Sequence, residues 1–317
     1  MSGMGGELGS LTASLLESEP WVGSLMGIDV DPPRRRLRKA QFHLIDPKNR
    51  PRIVDEVTKF NPHVMIHLAV WEPDARAKHE IARRFTHDAT TAIVGAAAEC
   101  PAMEALVVRS GIEVYGRHRN APTRPDETAR LDPSSEYGVM LEDIERTARA
   151  VGKRVKLSVA KLRLATVLGP HVPSPLGRLL RLPVVPFSAL ADSPFAVVQD
   201  RDAARAFVAA AARRYDGPVN VVAPGAITTY QAARRGNRFP LPLIGPEWAA
   251  VRRITHLAGV PIPDHVLEMM HRGRLADDRL LPEALGVAPE RTTPEVIDRL
   301  YAWESVVRVI NGERSVA

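Results

Sequence analysis

The feature that most constrains the fold of this 317-residue chain is a regular alternation of strand-like and helical segments over about its first two thirds. Apolar runs typical of buried strands lie at residues 24–29, 42–46, 64–69, 105–109, 158–164 and 218–222. Segments with helical spacing lie at residues 8–16, 52–60, 81–99, 137–151 and 202–212. Strands that are joined through helices run parallel and are covered on both faces. We therefore predict an α/β fold with a doubly wound, Rossmann-like parallel sheet.

The sequence changes character after residue 223. Prolines crowd at residues 239–242, and short helical segments follow, the last of them at 294–310. This pattern predicts a smaller C-terminal lobe packed beside the sheet. We assign residues 1–165 and 194–222 to the sheet domain, and residues 166–193 and 223–312 to the lobe.

A glycine-rich turn opens the chain. Gly3, Gly6 and Gly9 are spaced by three residues, and a helical segment follows at once. Such a turn lets the backbone approach a pyrophosphate, and the helix N-terminus supplies N–H donors. Asp29 ends the next strand about 20 residues later, where a carboxylate can accept hydrogen bonds from an adenosine ribose. The pattern predicts a dinucleotide site, and its alternative is a flexible tail that happens to be rich in glycine.

Asp29 also bears on the choice of cofactor, because a carboxylate at this position repels a 2′-phosphate and so favours NAD over NADP. The arginines at 34–36 could offset that preference, or they could form a solvated loop. Asp46 follows the next strand and is a second candidate, at the adenine edge of the site. Its alternative role is that of a turn or helix-cap residue before Pro47.

A turn of this kind ordinarily follows a β-strand, yet only Met1 and Ser2 precede it in this sequence. Without a central strand, the backbone groups of its two neighbours would be buried and unpaired. We therefore expect the first β-strand to lie upstream of Met1, in roughly six to eight further apolar residues.

Composition excludes several classes of protein. The net charge of +6 comes from arginines interspersed with acidic residues, and the aromatic content of 5% does not support base stacking, so we expect no nucleic-acid partner. Cys100 is the single cysteine, and no secretory leader or apolar run of about 18 residues is evident. We expect a cytoplasmic protein without membrane association, and no metal, because no His/Cys cluster has ligand spacing.

Several segments, in this order and spacing, resemble the extended short-chain dehydrogenase/reductases, also called the NAD-dependent epimerase/dehydratase family. The segments are SGMGGELG, VMIHLAV, VVRSGIEVYG, LDPSSEYGVML and LRLATVLGP. The resemblance implies an NAD(P)-binding sheet domain, in which His67, Leu68 and Ala69 lie beside the cofactor, and a substrate-binding lobe. It also implies the activity of a nucleotide-sugar epimerase, dehydratase or reductase. A further implication is a homodimer formed through residues 81–99 and 137–151.

The catalytic set departs from the family pattern. Tyr137 stands where the family has its acid/base tyrosine, but Leu141 replaces the lysine that lowers the pKa of that tyrosine. Gly111 replaces the usual Ser or Thr, and Ser110 lies one residue early. Glu113 stands where the sugar dehydratases carry a Glu, although an exposed loop charge is an alternative for it.

These departures leave two hypotheses open. The first is an NAD-dependent enzyme in which Tyr137, Ser110 and Glu113 act in catalysis, and the second is a catalytically silent NAD(P)-binding regulatory or structural protein. Arg163, near the end of a strand, could hold a phosphate or carboxylate of the substrate, or it could take part in an ordinary structural ion pair.

Overall fold

The computed structural model describes residues 1–74, 78–245, 247–257 and 259–303, and its parallel strands confirm the predicted α/β class. The strands are β1 Met26–Asp29, β2 Gln41–Leu44, β3 Val64–His67, β4 Ala105–Gly111, β5 Ser158–Leu164, β6 Thr166–Leu168, β7 Val184–Ser188, β8 Val197–Gln199, β9 Gly217–Val221 and β10 Phe239–Leu243. The helices of the sheet region are α1 Glu7–Leu16, α2 Arg50–Phe60, α3 His79–Ala97, α4 Glu136–Val155 and α6 Asp200–Ala212.

The remaining helices lie later in the chain or between the lobe strands. They are α5 Pro175–Leu180, α7 Thr229–Arg235, α8 Glu247–Leu257, α9 Asp264–Arg272, α10 Leu280–Leu285 and α11 Thr293–Ala302. A 3-10 turn, Ile112–Tyr115, follows β4 directly. Among the described residues, no helix has both the length and the apolar character needed to cross a membrane.

Ser2 joins two of the four groups of paired parallel strands. One group is β1 with β2, and the other has the spatial order β3-β4-β5-β9. Ser2 forms parallel bridges with Ile28 of β1 and with His67 of β3. Its N–H donates to the carbonyl of Ile66 at 2.9 Å, and its carbonyl accepts from Leu68 at 3.1 Å. The turn that follows Ser2 therefore begins at the centre of the sheet, while the strand expected upstream of Met1 stays a prediction.

Helices cover the sheet on both faces, as the alternation predicts. Helices α2, α3 and α4 pack against one another in sequence, whereas α1 packs against α6. The central strand β4 has four residues, 105–108, with no exposed surface. A strand that is buried on both faces is apolar throughout rather than alternating, which explains why this segment stands out in the sequence.

Helix α4 is well defined at both ends, which fixes the position of the residues on its first turn. The Ser135 side chain accepts a hydrogen bond from the N–H of Gly138 at 3.2 Å. Lys156 ends the helix in the left-handed conformation, with a φ of 60°. A serine cap of this kind contributes about 1 kcal/mol to helix stability. Tyr137, in this capped turn, therefore has a fixed backbone position.

A second cluster of buried apolar side chains surrounds α5, α9 and α11, beside the parallel pair β7 and β10. Phe195 and Leu176 are fully buried in it. Helix α10 packs elsewhere, because Leu281 and Leu285 belong to the cluster around the sheet. The domain boundaries expected from the sequence stay predictions.

Among the element boundaries that differ from the sequence-based ones, three concern candidate site residues or the C-terminal helix. Strand β4 continues past the predicted end at residue 109, through Ser110 to Gly111, because its ladder with β5 extends to Leu164. Strand β2 ends at Leu44, before the turn that contains Asp46. Helix α11 ends at Ala302, and the part of the predicted 294–310 helix beyond residue 303 lies outside the described residues.

Candidate functional site

The glycine turn runs from the centre of the sheet directly into α1. Gly3 has a φ of 77°, in the left-handed region, and a Cβ added there would lie 2.5 Å from the backbone nitrogen of Ala69. A Cβ added at Gly9 would lie 1.7 Å from the carbonyl oxygen of Gly3. Both positions require glycine, because no side chain fits between the turn, the helix and the loop after β3.

Gly6 precedes the first turn of α1 and has extended backbone without a side-chain cap. The first N–H groups of a helix have no intrahelical partner, and the N-terminus carries a partial positive charge. This helix end opens into a cleft, which the three glycines line together with Asp29, Leu68, Ala69 and Arg109. The free donors and the lack of side chains suit a phosphate group.

Asp29, at the end of β1, lines the same cleft. Its Oδ2 accepts a hydrogen bond from the N–H of Gly5 at 2.7 Å, and its Oδ1 accepts one from Val30 at 2.6 Å. Burial raises the pKa of Asp29, while these backbone donors act to lower it. A carboxylate held in this way keeps lone pairs for the two adjacent hydroxyls of a ribose. The structure therefore brings Asp29 together with the glycine turn.

Of the three residues expected beside the cofactor after β3, Leu68 and Ala69 line the cleft but His67 does not. The His67 ring is fully buried, with Nδ1 2.7 Å from the hydroxyl of Ser2 and Nε2 3.0 Å from that of Thr90. Burial lowers the pKa of His67 to about 3, so the ring stays neutral. His67 therefore has a structural role, because its ring connects Ser2, just before the glycine turn, to Thr90 of α3.

Asp46 lies outside the residues that line the cleft. Its Oδ1 accepts a hydrogen bond from the N–H of Lys48 at 2.9 Å, and its carbonyl accepts one from Asn49 at 2.8 Å. These contacts correspond to the turn role that the sequence left open. A contact between Asp46 and adenine stays a prediction that this geometry does not support.

The arginine-rich loop after β1 packs against the start of α1. The N–H of Arg34 donates to the hydroxyl of Ser10 at 2.8 Å, and its guanidinium lies 3.5 Å from the carboxylate of Glu7. Glu7 lines the cleft at the helix N-terminus, where its negative charge would repel a phosphate. Arg34 is exposed, as are Arg35 and Arg36, so the loop is solvated, and the ion pair of Arg34 partly offsets the charge of Glu7.

Tyr137 lies beside the cleft and is connected to it through His265, whose imidazole is 3.1 Å from the cleft residue Glu72. The phenol ring is 7% exposed and packs on the imidazole of His265, with 4.7 Å between the ring centroids. Burial raises the pKa of Tyr137 above its ordinary value; Arg109 opposes this shift by its charge and by a hydrogen bond, whereas Glu72 and Glu113 add to it. A buried tyrosine surrounded by two carboxylates and one guanidinium is a candidate acid/base group.

The space beside Gly111 is filled by two other side chains. A Cβ added at this glycine would lie 2.3 Å from Oε2 of Glu113 and 2.9 Å from Cδ1 of Leu141. Leu141 is 1% exposed. A carboxylate oxygen and a methyl group thus stand where the family pattern has a hydroxyl.

Glu113 is buried rather than exposed in a loop, so that alternative is wrong. Its Oε1 accepts a hydrogen bond from Arg274 at 3.1 Å, and the same guanidinium donates to Glu268 at 2.7 Å. This buried carboxylate therefore has a charged partner. Arg274 is 161 residues away in the chain, and no motif in the sequence pointed to it.

Ser110 faces away from this cluster, into an internal network. Its hydroxyl donates to Glu145 at 2.7 Å, and both oxygens of Glu145 accept from Arg163 at 2.8 Å. Arg163 also donates to the Tyr115 hydroxyl at 2.8 Å. Arg163 therefore has the structural role that the sequence left open. The catalytic role expected for Ser110 is not supported by its contacts, because successive residues of a strand point to opposite faces.

Arg109 is the site residue that sequence reasoning missed. It lies on β4, lines the cleft with the glycines and Asp29, and donates through Nη1 to the carbonyl of Val70 at 3.2 Å. The sequence feature that could have revealed Arg109 is its position as the single charged residue at the end of the apolar run ALVVR. A charge inside a central strand is costly unless it has a partner or a role.

No three His, Cys, Asp or Glu side chains converge as metal ligands in the described part of the chain. The absence of a metal centre stays a prediction.

Comparisons with known proteins agree with this geometry. An uncharacterized protein of Mycobacterium tuberculosis is 27% identical over 317 residues, covering 96% of this chain and 83% of the relative. The structure of MoeE5 in complex with UDP-glucose and NAD has a TM-score of 0.69 at 22% identity and covers 95% of this chain and 96% of that one. The structure of UDP-glucose 4-epimerase from Brucella ovis, in complex with NAD, has a TM-score of 0.74 at 17% identity and covers 94% of this chain and 95% of that one.

The sequence also matches a described protein family over residues 1–218, the NAD dependent epimerase/dehydratase family. That match includes the glycine turn, Asp29, Gly111 and Tyr137, and it spans more than half of the chain. The protein belongs to the NAD-dependent epimerase/dehydratase family.

Proposed function

We propose that the cleft binds NAD and that the protein catalyses hydride transfer on a nucleotide sugar, as an epimerase, dehydratase or reductase. The observation that carries this proposal is one cleft that brings the glycine turn together with Asp29 and Glu72. The Glu72 carboxylate lies 3.1 Å from the imidazole of His265, on which the Tyr137 ring packs. MoeE5 with UDP-glucose and NAD, and the Brucella epimerase with NAD, support the proposed ligand classes.

The chain fits NAD by its own features. Gly3 and Gly9 leave no room for side chains, and the start of α1 supplies free N–H donors for the pyrophosphate. Asp29 would accept hydrogen bonds from the adenosine ribose. Its negative charge disfavours a 2′-phosphate, and Arg34 is already paired with Glu7. We therefore propose NAD rather than NADP.

The residues around Tyr137 suit the proton part of the reaction. When bound, NAD⁺ accepts a hydride from a carbinol carbon of the sugar and can return it. Ionised to the phenolate, Tyr137 would take the proton of the hydroxyl on that carbon, so that a carbonyl forms as the C–H and O–H bonds break. Oε2 of Glu113, in the space beside Gly111, would accept a hydrogen bond from a sugar hydroxyl.

Titration calorimetry with NAD⁺, NADH, NADP⁺ and NADPH tests the cofactor proposal. We expect binding of NAD⁺ and NADH, and a loss of at least about tenfold in affinity in Asp29→Asn, because hydrogen bonds to a charged acceptor are worth about 1.5–3 kcal/mol. Asp31→Asn is the matched control, since its carboxylate does not line the cleft. Thermal denaturation checks that both variants fold. Absence of affinity for all four nucleotides would overturn the proposal.

A turnover assay distinguishes an enzyme from a catalytically silent NAD-binding protein. We expect incubation with NAD⁺ and UDP-glucose, UDP-glucuronic acid or dTDP-glucose to give an epimer or a dehydrated product visible by NMR. The second candidate function is a catalytically silent NAD-binding protein, which the replacements Leu141 and Gly111 favour. NAD binding without conversion of any nucleotide sugar would support that candidate.

A further inference from the structure

Tyr137 packs against the imidazole of His265, a residue of α9 that no motif in the sequence pointed to. We propose that His265, oriented by Glu72, is the acid/base partner of Tyr137 in the catalytic centre and takes up a proton as the phenol gives one up. This inference rests on the proposed function and concerns the same site. It adds a histidine–carboxylate pair to the residues around Tyr137.

The two rings are in direct contact. Their centroids lie 4.7 Å apart, and their planes are tilted by 40°. Both side chains are buried, and both line one small cavity at the start of α4, together with the capping residue Ser135. Two groups that touch and open onto the same cavity can exchange a proton directly or through one water molecule.

Glu72 gives His265 the arrangement of an acid/base histidine. Nε2 of the imidazole lies 3.1 Å from Oε1 of Glu72, in the loop after β3. In a neutral imidazole one ring nitrogen donates and the other accepts, whereas an ionised carboxylate only accepts. The pair therefore places the proton on Nε2 and leaves Nδ1 as the proton acceptor. Glu72 also stabilises the imidazolium that forms when Nδ1 is protonated.

The backbone of His265 is held from a second direction. Nη1 of the buried Arg274 donates to the carbonyl of His265 at 3.2 Å and to Oε1 of Glu113 at 3.1 Å. Nη2 of Arg274 donates to Glu268, one turn further along α9, at 2.7 Å. His265 is thus positioned between the loop after β3 and the 3-10 turn, which limits the freedom of its ring.

Other charged or titratable residues also line the cavity that Tyr137 and His265 share. They are Asp74 from the loop after β3, His79 from α3, Glu136 from α4, Arg252 from α8 and Asp264 from α9. The His79 imidazole lies 2.8 Å from Glu136, and the Arg252 guanidinium lies 2.9 Å from Asp264. These four residues form two ion pairs of their own, whereas Glu72 is within hydrogen-bond distance of His265.

The pair accounts for the proton that Tyr137 must lose. Burial raises the pKa of Tyr137 and Leu141 provides no cation, so the phenol needs a base to become a phenolate. The O–H bond of Tyr137 breaks and an N–H bond forms at Nδ1 of His265, which gives a phenolate and an imidazolium. The phenolate then takes the proton of the sugar hydroxyl as the hydride leaves the same carbon. When the hydride returns, Tyr137 gives that proton back, and the imidazolium returns its own proton to the phenolate.

The first test observes the imidazole without cofactor or substrate. Nitrogen-15 NMR of histidine-labelled protein distinguishes the two tautomers and the imidazolium, and His265→Gln assigns the His265 signals by removing them. We expect the Nε2–H tautomer at about pH 8 and a loss of that preference in Glu72→Gln. His43, whose Nδ1 lies 3.4 Å from Glu56, is the internal control and should not respond to Glu72→Gln. A His265 that carries its proton on Nδ1, or that stays an imidazolium, at about pH 8 would overturn the inference.

The second test separates proton transfer from packing. His265→Phe keeps an aromatic ring against Tyr137 and removes the base, so we expect kcat with UDP-glucose, UDP-glucuronic acid or dTDP-glucose to fall by about 10²- to 10⁴-fold. The acidic limb of the pH profile of kcat, which reports protonation of the base, should be present in the wild type and absent in this variant. NAD affinity should not change, because His265 does not line the cleft. His43→Phe is the matched control, since it removes the histidine of another His–Glu pair.

A role in packing alone predicts that His265→Phe keeps the wild-type rate and pH profile, and that result would overturn the inference. His265→Gln, which keeps a donor for Glu72, gives a second variant, and thermal denaturation checks that both fold. Failure of the proposed function has a different signature. A wild type that binds no NAD or converts no nucleotide sugar contradicts that function, whereas normal turnover in both His265 variants contradicts only the role of His265.

Discussion

The two ends of the cleft are built in different ways. At the glycine turn, backbone atoms define the surface, and Cβ atoms added at Gly3 or Gly9 would meet other backbone atoms at 2.5 Å or less. Around Tyr137, side chains from β4, the 3-10 turn and α9 define the surface. The first end keeps the glycine pattern of the family, while Leu141 and Gly111 stand at the second end in place of the residue types that the family resemblance leads us to expect.

This difference reflects how each end performs its task. A backbone cradle works only when side chains are absent, so its glycines cannot be exchanged for anything else. A charge beside a phenol acts through space, and any nearby element can supply it. Charged groups around a phenol can therefore come from new positions, as the buried Glu113 does here, while the glycines of the turn cannot be replaced.

The largest expected effect of a substitution is at the end of the cleft around Tyr137, which side chains define. In Tyr137→Phe we expect turnover of a nucleotide sugar to fall by about 10²- to 10⁴-fold, because the proton acceptor is removed. NAD affinity should stay near the wild-type value, since Tyr137 does not line the cradle. Steady-state kinetics and calorimetry measure the two quantities. Tyr230→Phe, on an exposed tyrosine of the lobe, is the control; equal turnover in both variants would contradict the role of Tyr137.

The next effect is at the backbone end. Gly9→Ala places a Cβ 1.7 Å from the carbonyl oxygen of Gly3, so we expect the free energy of unfolding to fall by roughly 2–3 kcal/mol and NAD binding to be lost. A Cβ added at Gly23 would meet open space, so we expect Gly23→Ala to change the free energy of unfolding by less than about 0.5 kcal/mol. Urea denaturation gives both values, and similar stability of the two variants would show that the cradle is less tightly packed.

The smallest effect is a pH dependence at the cofactor end. Burial raises the pKa of Asp29, so its carboxylate is protonated, and lost as an acceptor, at a higher pH than an ordinary aspartate. NAD⁺ affinity should therefore decrease as the pH falls from about 7 toward the acidic range, and the decrease should begin at a higher pH than for an ordinary aspartate. Calorimetry across this range measures the change. In Asp29→Asn, the NAD⁺ affinity should not change with pH in this way. An equal pH dependence of affinity in that variant would show that another group causes it.

Much of the fold follows from local pattern. The alternation of segments predicted the parallel sheet, and each sheet helix was located to within a few residues. The glycine spacing and the strand that ends at Asp29 predicted one shared cleft, because the carboxyl ends of parallel strands meet at one edge. Tyr137 was found from its motif. These features are short-range, so the order of residues alone describes them.

The side-chain end was harder to predict, for a physical reason. Whether Ser110 or Gly111 faces the cleft depends on how far the β4 ladder extends, and that is set by its pairing with β5. Glu113 is paired with Arg274, which lies on a distant segment. The boundary between β4 and the following turn therefore decided which residue types surround Tyr137.

The chain order specified the class of fold, the glycine turn with Asp29, and the position of Tyr137, our proposed acid/base residue, because each depends on residues that are close in sequence or repeat at regular spacing. The charges around Tyr137 were settled by packing. They come from β4, the loop after β3, the 3-10 turn and α9, and electrostatic interactions depend on distances in space that no linear spacing records.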